Sequence, residues 1–249
     1  MVPVTFYQFN VVFGKIEENL KKLEKIIPHI PKGGLFALPE MFCCGFDYQN
    51  MKKLASKSQT VLDFLRDLSK TTQGVVVATL PLEREGKLYN TAVVFDRGTL
   101  AGTRGKIELF PIYKETQYFA PAPEEENRVF QTSVGRIGIV ICFEVRFNKY
   151  TNLLRKEGAE ILIIPAMWGI ERRVHFKTLT HARAVETQSI VVAVNAWGQT
   201  AKTFFGGASA VYGPWGEILT YAEDGESLVT AWVDVNEVHR VRKKIPVNL

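Results

Sequence analysis

The chain has 249 residues, 46% of them apolar and 23% charged, with a formal net charge of +5. That is enough apolar mass for a sizeable core, which excludes global disorder, and no apolar run approaches the roughly 20 residues of a membrane span. The positive excess sits in Lys21, Lys22 and Lys25 and in Arg240, Arg242, Lys243 and Lys244; without interleaved aromatics or a recognised module it reads as solvated surface, with no nucleic acid and no membrane as partner.

Strand and helix patterns alternate along the chain. Val4–Phe9 reads as a strand, Asn19–Ile27 as a helix and Leu35–Leu38 as a buried strand. Leu54–Ser69 is helical in pattern, and Val75–Leu80 and Leu88–Phe95 are strands around a turn at Glu85-Gly86-Lys87. Val129–Thr132 and Arg136–Ile141 flank a turn and predict a hairpin. Asn148–Lys156 reads as a helix stopped by Gly158, Ile161–Ile164 as a buried strand, Val174–Gln188 as a helix and Ile190–Asn195 as a strand. Ala208–Val211, Ile218–Tyr221 and Leu228–Val233 read as short closing strands. The expectation is an α/β fold in a single domain over residues 1–249. The opening Met1-Val2-Pro3-Val4-Thr5-Phe6 lacks the basic start and apolar run of a secretion signal, so the expected location is cytoplasmic.

The three cysteines, Cys43, Cys44 and Cys142, make a poor disulfide framework, and no CxxC, HxH or HExxH spacing predicts a metal site. No GxxxxGK[ST] or GxGxxG loop is present, so neither a nucleotide nor a dinucleotide cofactor is expected. In α/β folds reactive groups gather past the C-terminal ends of strands. Glu40 follows the run Leu35–Leu38, Lys106 follows Thr99–Gly105, and Cys142 follows Ile137–Ile141. Taken alone, Cys142 reads as a small buried hydrophobe, Glu40 as a loop carboxylate and Lys106 as a surface charge. Brought together they could do chemistry. A buried glutamate has a raised pKa and can take a thiol proton, and a lysine beside it can face an oxyanion. Cys43 and Cys44 read as packing residues.

These segments resemble a known family. Leu38-Pro39-Glu40-Met41-Phe42, Gly105-Lys106-Ile107-Glu108-Leu109-Phe110 and Ile141-Cys142-Phe143-Glu144-Val145-Arg146-Phe147 are similar, in order and spacing, to the three signature segments of the nitrilase superfamily of carbon–nitrogen hydrolases. His181–Gln188 is similar to the family's RARAxExQ helix, and Gly207-Ala208-Ser209 with Pro214-Trp215-Gly216-Glu217 to its GxS…DPxGE turn. The resemblance implies a four-layer α-β-β-α sandwich, a homodimer or higher homo-oligomer, and no cofactor or metal. Carried over, it makes Glu40 the general base, Lys106 the oxyanion-stabilising cation and Cys142 the nucleophile. Glu115, in Lys114-Glu115-Thr116-Gln117-Tyr118, matches a second glutamate that holds the lysine and the substrate amide.

Within the family, Cys142-Phe143-Glu144 departs from the Cys-Trp-Glu of nitrilases towards amidase-like members. The segment Pro165–Phe176, with Trp168 and Arg172, is similar to one in the ω-amidase branch, which hydrolyses the side amides of short 2-oxo acids. Arg146 matches an arginine that binds a substrate carboxylate in carbamoyl-amino-acid hydrolases. Substrate binding is therefore expected from Phe143, Arg146, Trp168 and Arg172, with either arginine open as the carboxylate partner. The expected activity is hydrolysis of a small carboxylate-bearing amide with release of ammonia. The alternatives are an N-carbamoyl-amide hydrolase, a nitrilase, and a catalytically idle binding scaffold.

Overall fold

The computed structural model describes residues 1–112, 114–200 and 203–247. Its core is two facing six-stranded sheets. The first has the order β14-β1-β2-β3-β4-β5, with β1 at Val2–Gln8, β2 at Leu35–Ala37, β3 at Val75–Arg84, β4 at Lys87–Asp96, β5 at Thr99–Gly105 and β14 at Ser227–Val233. The second has the order β13-β12-β9-β8-β7-β6, with β6 at Phe130–Thr132, β7 at Gly135–Ile139, β8 at Ile161–Ala166, β9 at Ile190–Asn195, β12 at Ser209–Tyr212 and β13 at Ile218–Ala222. In each sheet the central strands run parallel (β1, β2, β3 and β7, β8, β9) and the outer ones pair antiparallel.

Period-two alternation explains the layers. Leu35, Ala37, Val75 and Val77 point into the core shared with Ile137, Ile139, Ile161 and Ile163 of the other sheet. Phe36, Val76 and Ala78 point to the opposite face, against Leu20 and Leu23 of α1 (Ile16–Ile26) and Val61, Leu65 and Leu68 of α3 (Ser58–Thr71). Strands buried on both faces are uniformly apolar, which is why these segments read as continuous runs. Leu154 of α5 (Asn148–Lys156) and Phe176 and Ala184 of α6 (Arg173–Thr187) cover the second sheet. The result is the expected four-layer α-β-β-α sandwich.

The helical pattern over Leu54–Ser69 is interrupted: α2 spans Met51–Ala55, and a turn at Ser56-Lys57 precedes α3. Ser58 Oγ donates to the Pro81 carbonyl at this break, a local bond that periodicity does not reveal. Besides the 3-10 turns, some described helices and strands are not anticipated from the sequence. They include α4 (Glu115–Tyr118), the hairpin β10 (Trp197–Gln199) and β11 (Phe204–Gly206), and α7 (Asn236–Lys244), which carries the basic tail residues. Among the described residues no helix is long and apolar enough to cross a membrane.

Candidate active site

Strands from both sheets deliver their C-terminal ends to one place. Glu40 lies just past β2, Lys106 directly after β5, and Cys142 just past β7. Glu115 opens α4 beside them. All four side chains are nearly or fully removed from the surface, Glu40, Lys106 and Glu115 at 1% exposure and Cys142 at 7%. Lys106 Nζ donates to Glu40 Oε1 at 2.8 Å and to both oxygens of Glu115 at 2.9 Å. Asn90 on β4 donates to Glu40 Oε1 at 2.8 Å and to Glu115 Oε1 at 3.3 Å. Glu115 Oε2 also accepts the Phe110 N–H at 2.6 Å. One ammonium thus bridges two carboxylates, and the neutral Asn90 amide fixes their spacing.

Cys142 sits at a strained turn. Its φ of +52° is in the left-handed region, rare for a residue with a Cβ, at the point where strand gives way to the 3-10 helix Cys142–Arg146. The buried Glu144 carboxylate holds that turn. Oε2 accepts from Ile141 N–H at 2.6 Å and from Arg104 Nη1 at 2.7 Å, and Oε1 accepts from Ile107 N–H at 2.6 Å. Glu144 therefore ties the cysteine turn to the backbone next to Lys106. Arg183 of α6 braces it from behind, donating from Nε and Nη2 to the Val145 carbonyl at 3.1 and 2.9 Å. Its Nη1 pairs with Glu186 at 2.5 Å, an i,i+3 neighbour on the same helix.

The electrostatics of the cluster follow from burial. Glu40 is pushed above the ordinary glutamate range by desolvation, which Lys106 opposes and Glu115 reinforces. Burial also raises the Cys142 thiol well above its usual value, and the Glu40 carboxylate beside it raises it further. For Lys106 burial alone would lower the pKa; Glu115 and Glu40 outweigh it and raise it well above the ordinary lysine value. The resting cluster is thus an ammonium clamped by carboxylates, next to a protonated thiol. Glu40 Oε1 is occupied by Lys106 and Asn90, while among the described residues the buried Oε2 has no partner in good hydrogen-bond geometry and is open to a proton from the adjacent Cys142 thiol. Such a carboxylate is equipped to take the thiol proton as the sulfur attacks.

A cavity of about 670 Å³ opens onto the cluster, lined by Glu40, Lys106, Glu115 and Cys142 at its floor. Phe143, Arg146, Trp168 and Arg172 also line it. Phe143 packs edge-on against Phe110, with centroids 5.2 Å apart. Trp168 is buried and fixed through its backbone N–H to Asn195 Oδ1 at 2.7 Å. The Arg146 guanidinium lies 4.8 Å over the Trp168 ring and its Nη2 is 3.1 Å from His175 Nδ1, yet the residue is exposed. Arg172 pairs with Glu171 at 2.8 Å and lies over Phe110 at 5.4 Å. Arg172 is partly buried, and Arg146 stands at the exposed mouth. Among the described residues no group of three or more histidine, cysteine or acidic side chains could hold a metal ion.

The family model for carbon-nitrogen hydrolases matches residues 4–243. The chain belongs to the carbon-nitrogen hydrolase family. It is similar to a 2-oxoglutaramate amidase of Bacillus subtilis (strain 168), 30% identical over 248 residues, covering 98% of this chain and 95% of the relative. It is also 30% identical over 246 residues to the omega-amidase NIT2 of Danio rerio, covering 92% of this chain and 87% of that protein. The fold is that of a solved carbon-nitrogen hydrolase from Helicobacter pylori, with a TM-score of 0.90 at 23% identity over 98% of this chain and 93% of that one. It is likewise that of Saccharomyces cerevisiae Nit3, a nitrilase-superfamily member, with a TM-score of 0.87 at 23% identity over all of this chain and 95% of that one.

Three residues that hold this cluster are given no role by the motifs: Asn90 and Arg104 lie outside the signature segments, and Glu144 lies inside one only as part of its pattern. A signal exists for each. Asn90 interrupts an apolar strand, Arg104 is a full charge in a strand that proves 0% exposed there, and Glu144 is an acid between two apolar residues of the cysteine turn.

Proposed function

We propose that this enzyme hydrolyses the ω-amide of a short 2-oxo dicarboxylic acid, releasing ammonia through a Cys142 thioester. The observation that supports it is the Cys142 thiol set against the Glu40 carboxylate, with Lys106 locked between Glu40 and Glu115, at the floor of a cavity that also carries two arginines. Sulfur attacks the amide carbon while Glu40 takes the thiol proton. The oxyanion faces Lys106 and the Phe143 N–H, a donor that the first turn of a helix leaves without an intrahelical partner. Glu40 then passes the proton to the nitrogen, and ammonia leaves. Glu40 next takes a proton from water, which attacks the thioester. Collapse frees the acid, and the sulfur recovers the proton from Glu40.

The roles of base, cation and nucleophile, with Glu115 as clamp, belong to this reading, as does homo-oligomerisation, for which exposed Val174, Val185, Trp215 and Trp232 supply apolar surface. Light scattering checks the oligomer: a monomer contradicts it. For the substrate, Arg146 or Arg172 takes the carboxylate through a charge-assisted contact. The test is ammonia release from matched ω-amide acids, their neutral esters, N-carbamoyl acids and nitriles. Preference for the ω-amide acid supports the reading; equal kcat/KM for acid and ester, or faster turnover of a carbamoyl acid or nitrile, contradicts it.

A further inference from the structure

Tyr48 is a side chain at the same cavity that the reaction scheme leaves without a task. It opens the 3-10 turn Tyr48–Asn50 ahead of α2, and its ring stacks on Tyr118 with centroids 5.0 Å apart and planes 22° from parallel. Tyr118 ends the same short helix that Glu115 begins. Both tyrosines line the cavity. Phe46 completes this aromatic edge, with its ring 5.6 Å from Tyr48 and 6.0 Å from Lys106 Nζ. No hydrogen bond within the described residues engages the Tyr48 hydroxyl. That hydroxyl nevertheless lies in the fields of Glu115, Lys106, Glu40 and Cys142 together, and burial, followed by Glu115, holds its pKa far above the ordinary tyrosine value. It is thus a protonated phenol with free lone pairs beside the clamp.

A substrate amide has its carbon at Cys142 and its nitrogen where Glu40 can protonate it. Tyr48 adjoins that side of the cluster, within the fields of both Glu115 and Glu40; there Glu40 Oε1 and both Glu115 oxygens are already engaged by Lys106, Asn90 and Phe110, and Glu40 Oε2 is taken up by the thiol proton. We propose that Tyr48 is a positioning and specificity-determining residue for the leaving nitrogen. Its hydroxyl oxygen accepts one amide N–H, and the stacked Tyr48–Tyr118 pair closes the space beyond, so that the site takes an unsubstituted –NH2 and rejects N-alkyl amides. The assignment rests on the amidase reading above.

The experiment compares the primary amide with the N-methyl amide of the same acid, following ammonia and methylamine, in the parent, Tyr48→Phe, Tyr48→Ala and Tyr118→Ala. The parent should discriminate against the N-methyl amide by about 100-fold, within the range that one extra carbon in a tight pocket achieves. Tyr48→Phe should lower kcat/KM for the primary amide about 3- to 10-fold, the value of one neutral hydrogen bond, and still reject the N-methyl amide. Tyr48→Ala should raise the ratio of N-methyl to primary turnover at least about 10-fold, a change that general loosening of the fold does not produce. Tyr118→Ala opens the same wall and carries the test if Tyr48→Ala does not fold. An active parent with an unmoved ratio in the folded wall variants, or an unaltered Tyr48→Phe, overturns this inference and leaves the amidase reading standing. A parent that releases nothing from any primary amide overturns both.

Discussion

Replacing Glu144 by Gln tests how the cysteine turn is built. The carboxylate is 0% exposed, and Arg104, its one cationic partner among the described residues, is also 0% exposed. Its two oxygens accept from Ile141 N–H, Ile107 N–H and Arg104 Nη1 at 2.6 to 2.7 Å. A glutamine must turn an NH2 towards one of these donors in either orientation, and it leaves the Arg104 charge buried without a counter-charge. Removing one partner of a buried pair costs about 3–5 kcal/mol. At about 2–4 °C per kcal/mol for a chain of this size, Tm should fall by about 6–20 °C. The turn carries Cys142, so kcat measured well below the new Tm should fall as well. In a double-mutant cycle with Arg104→Met, the second substitution should cost less in the Glu144→Gln background than in the parent, because the stranded charge goes with it. Denaturant melts of the four proteins, with ammonia release at low temperature, supply the numbers. A loss below about 1 kcal/mol for Glu144→Gln, or strict additivity, refutes the reasoning.

The remaining predictions concern the reacting groups. Glu40→Gln should cost at least about 10²-fold in kcat as a lost general base. Because the folded-state pKa of Glu40 is raised, its ionisation opposes folding above the ordinary glutamate pKa; the same variant should therefore melt higher than the parent at neutral pH and lose that advantage in acid. Equal or lower melting at neutral pH contradicts the desolvated carboxylate. In the parent, kcat/KM should fall as pH drops through a midpoint above about 4.3, the unperturbed glutamate value; a midpoint at or below it contradicts the shift. Lys106 works in the opposite pH range: its raised pKa stabilises the fold below about 10.4 and is lost as pH rises through the folded value, so Lys106→Met should flatten the alkaline decline in Tm. Lys106→Arg should not restore activity, since a planar fork cannot replace a point donor between two carboxylates; turnover within about 10-fold of the parent would reject the lysine's role.

The apolar runs at Leu35–Leu38, Val75–Leu80, Ile161–Ile164 and Ile190–Asn195 were legible because strands buried on both faces must be apolar throughout. The positions of Glu40, Lys106 and Cys142 were legible because each follows such a run or lies in a signature segment. What periodicity does not carry is whatever rests on single long-range bonds. The break at Ser56-Lys57, the four-residue helix at Glu115 and the small hairpin β10–β11 are too short to show a period. Asn90, Arg104 and Glu144 are polar residues whose meaning depends on partners distant in sequence. The sequence also places both arginines near the nucleophile, and both do line its cavity, but only the folded chain puts Arg146 at the exposed mouth and Arg172 against Glu171.

The central claim is a covalent intermediate on Cys142, formed with Glu40 as base. Intact-mass analysis of enzyme mixed with an ω-amide acid and quenched in acid during turnover tests it directly. The account predicts one adduct of the acyl mass per chain, mapping to the peptide that contains Cys142 and absent from Cys142→Ala, which should release no ammonia while keeping its fold. Ammonia release by Cys142→Ala, or an adduct on Cys43 or Cys44 instead, would contradict it.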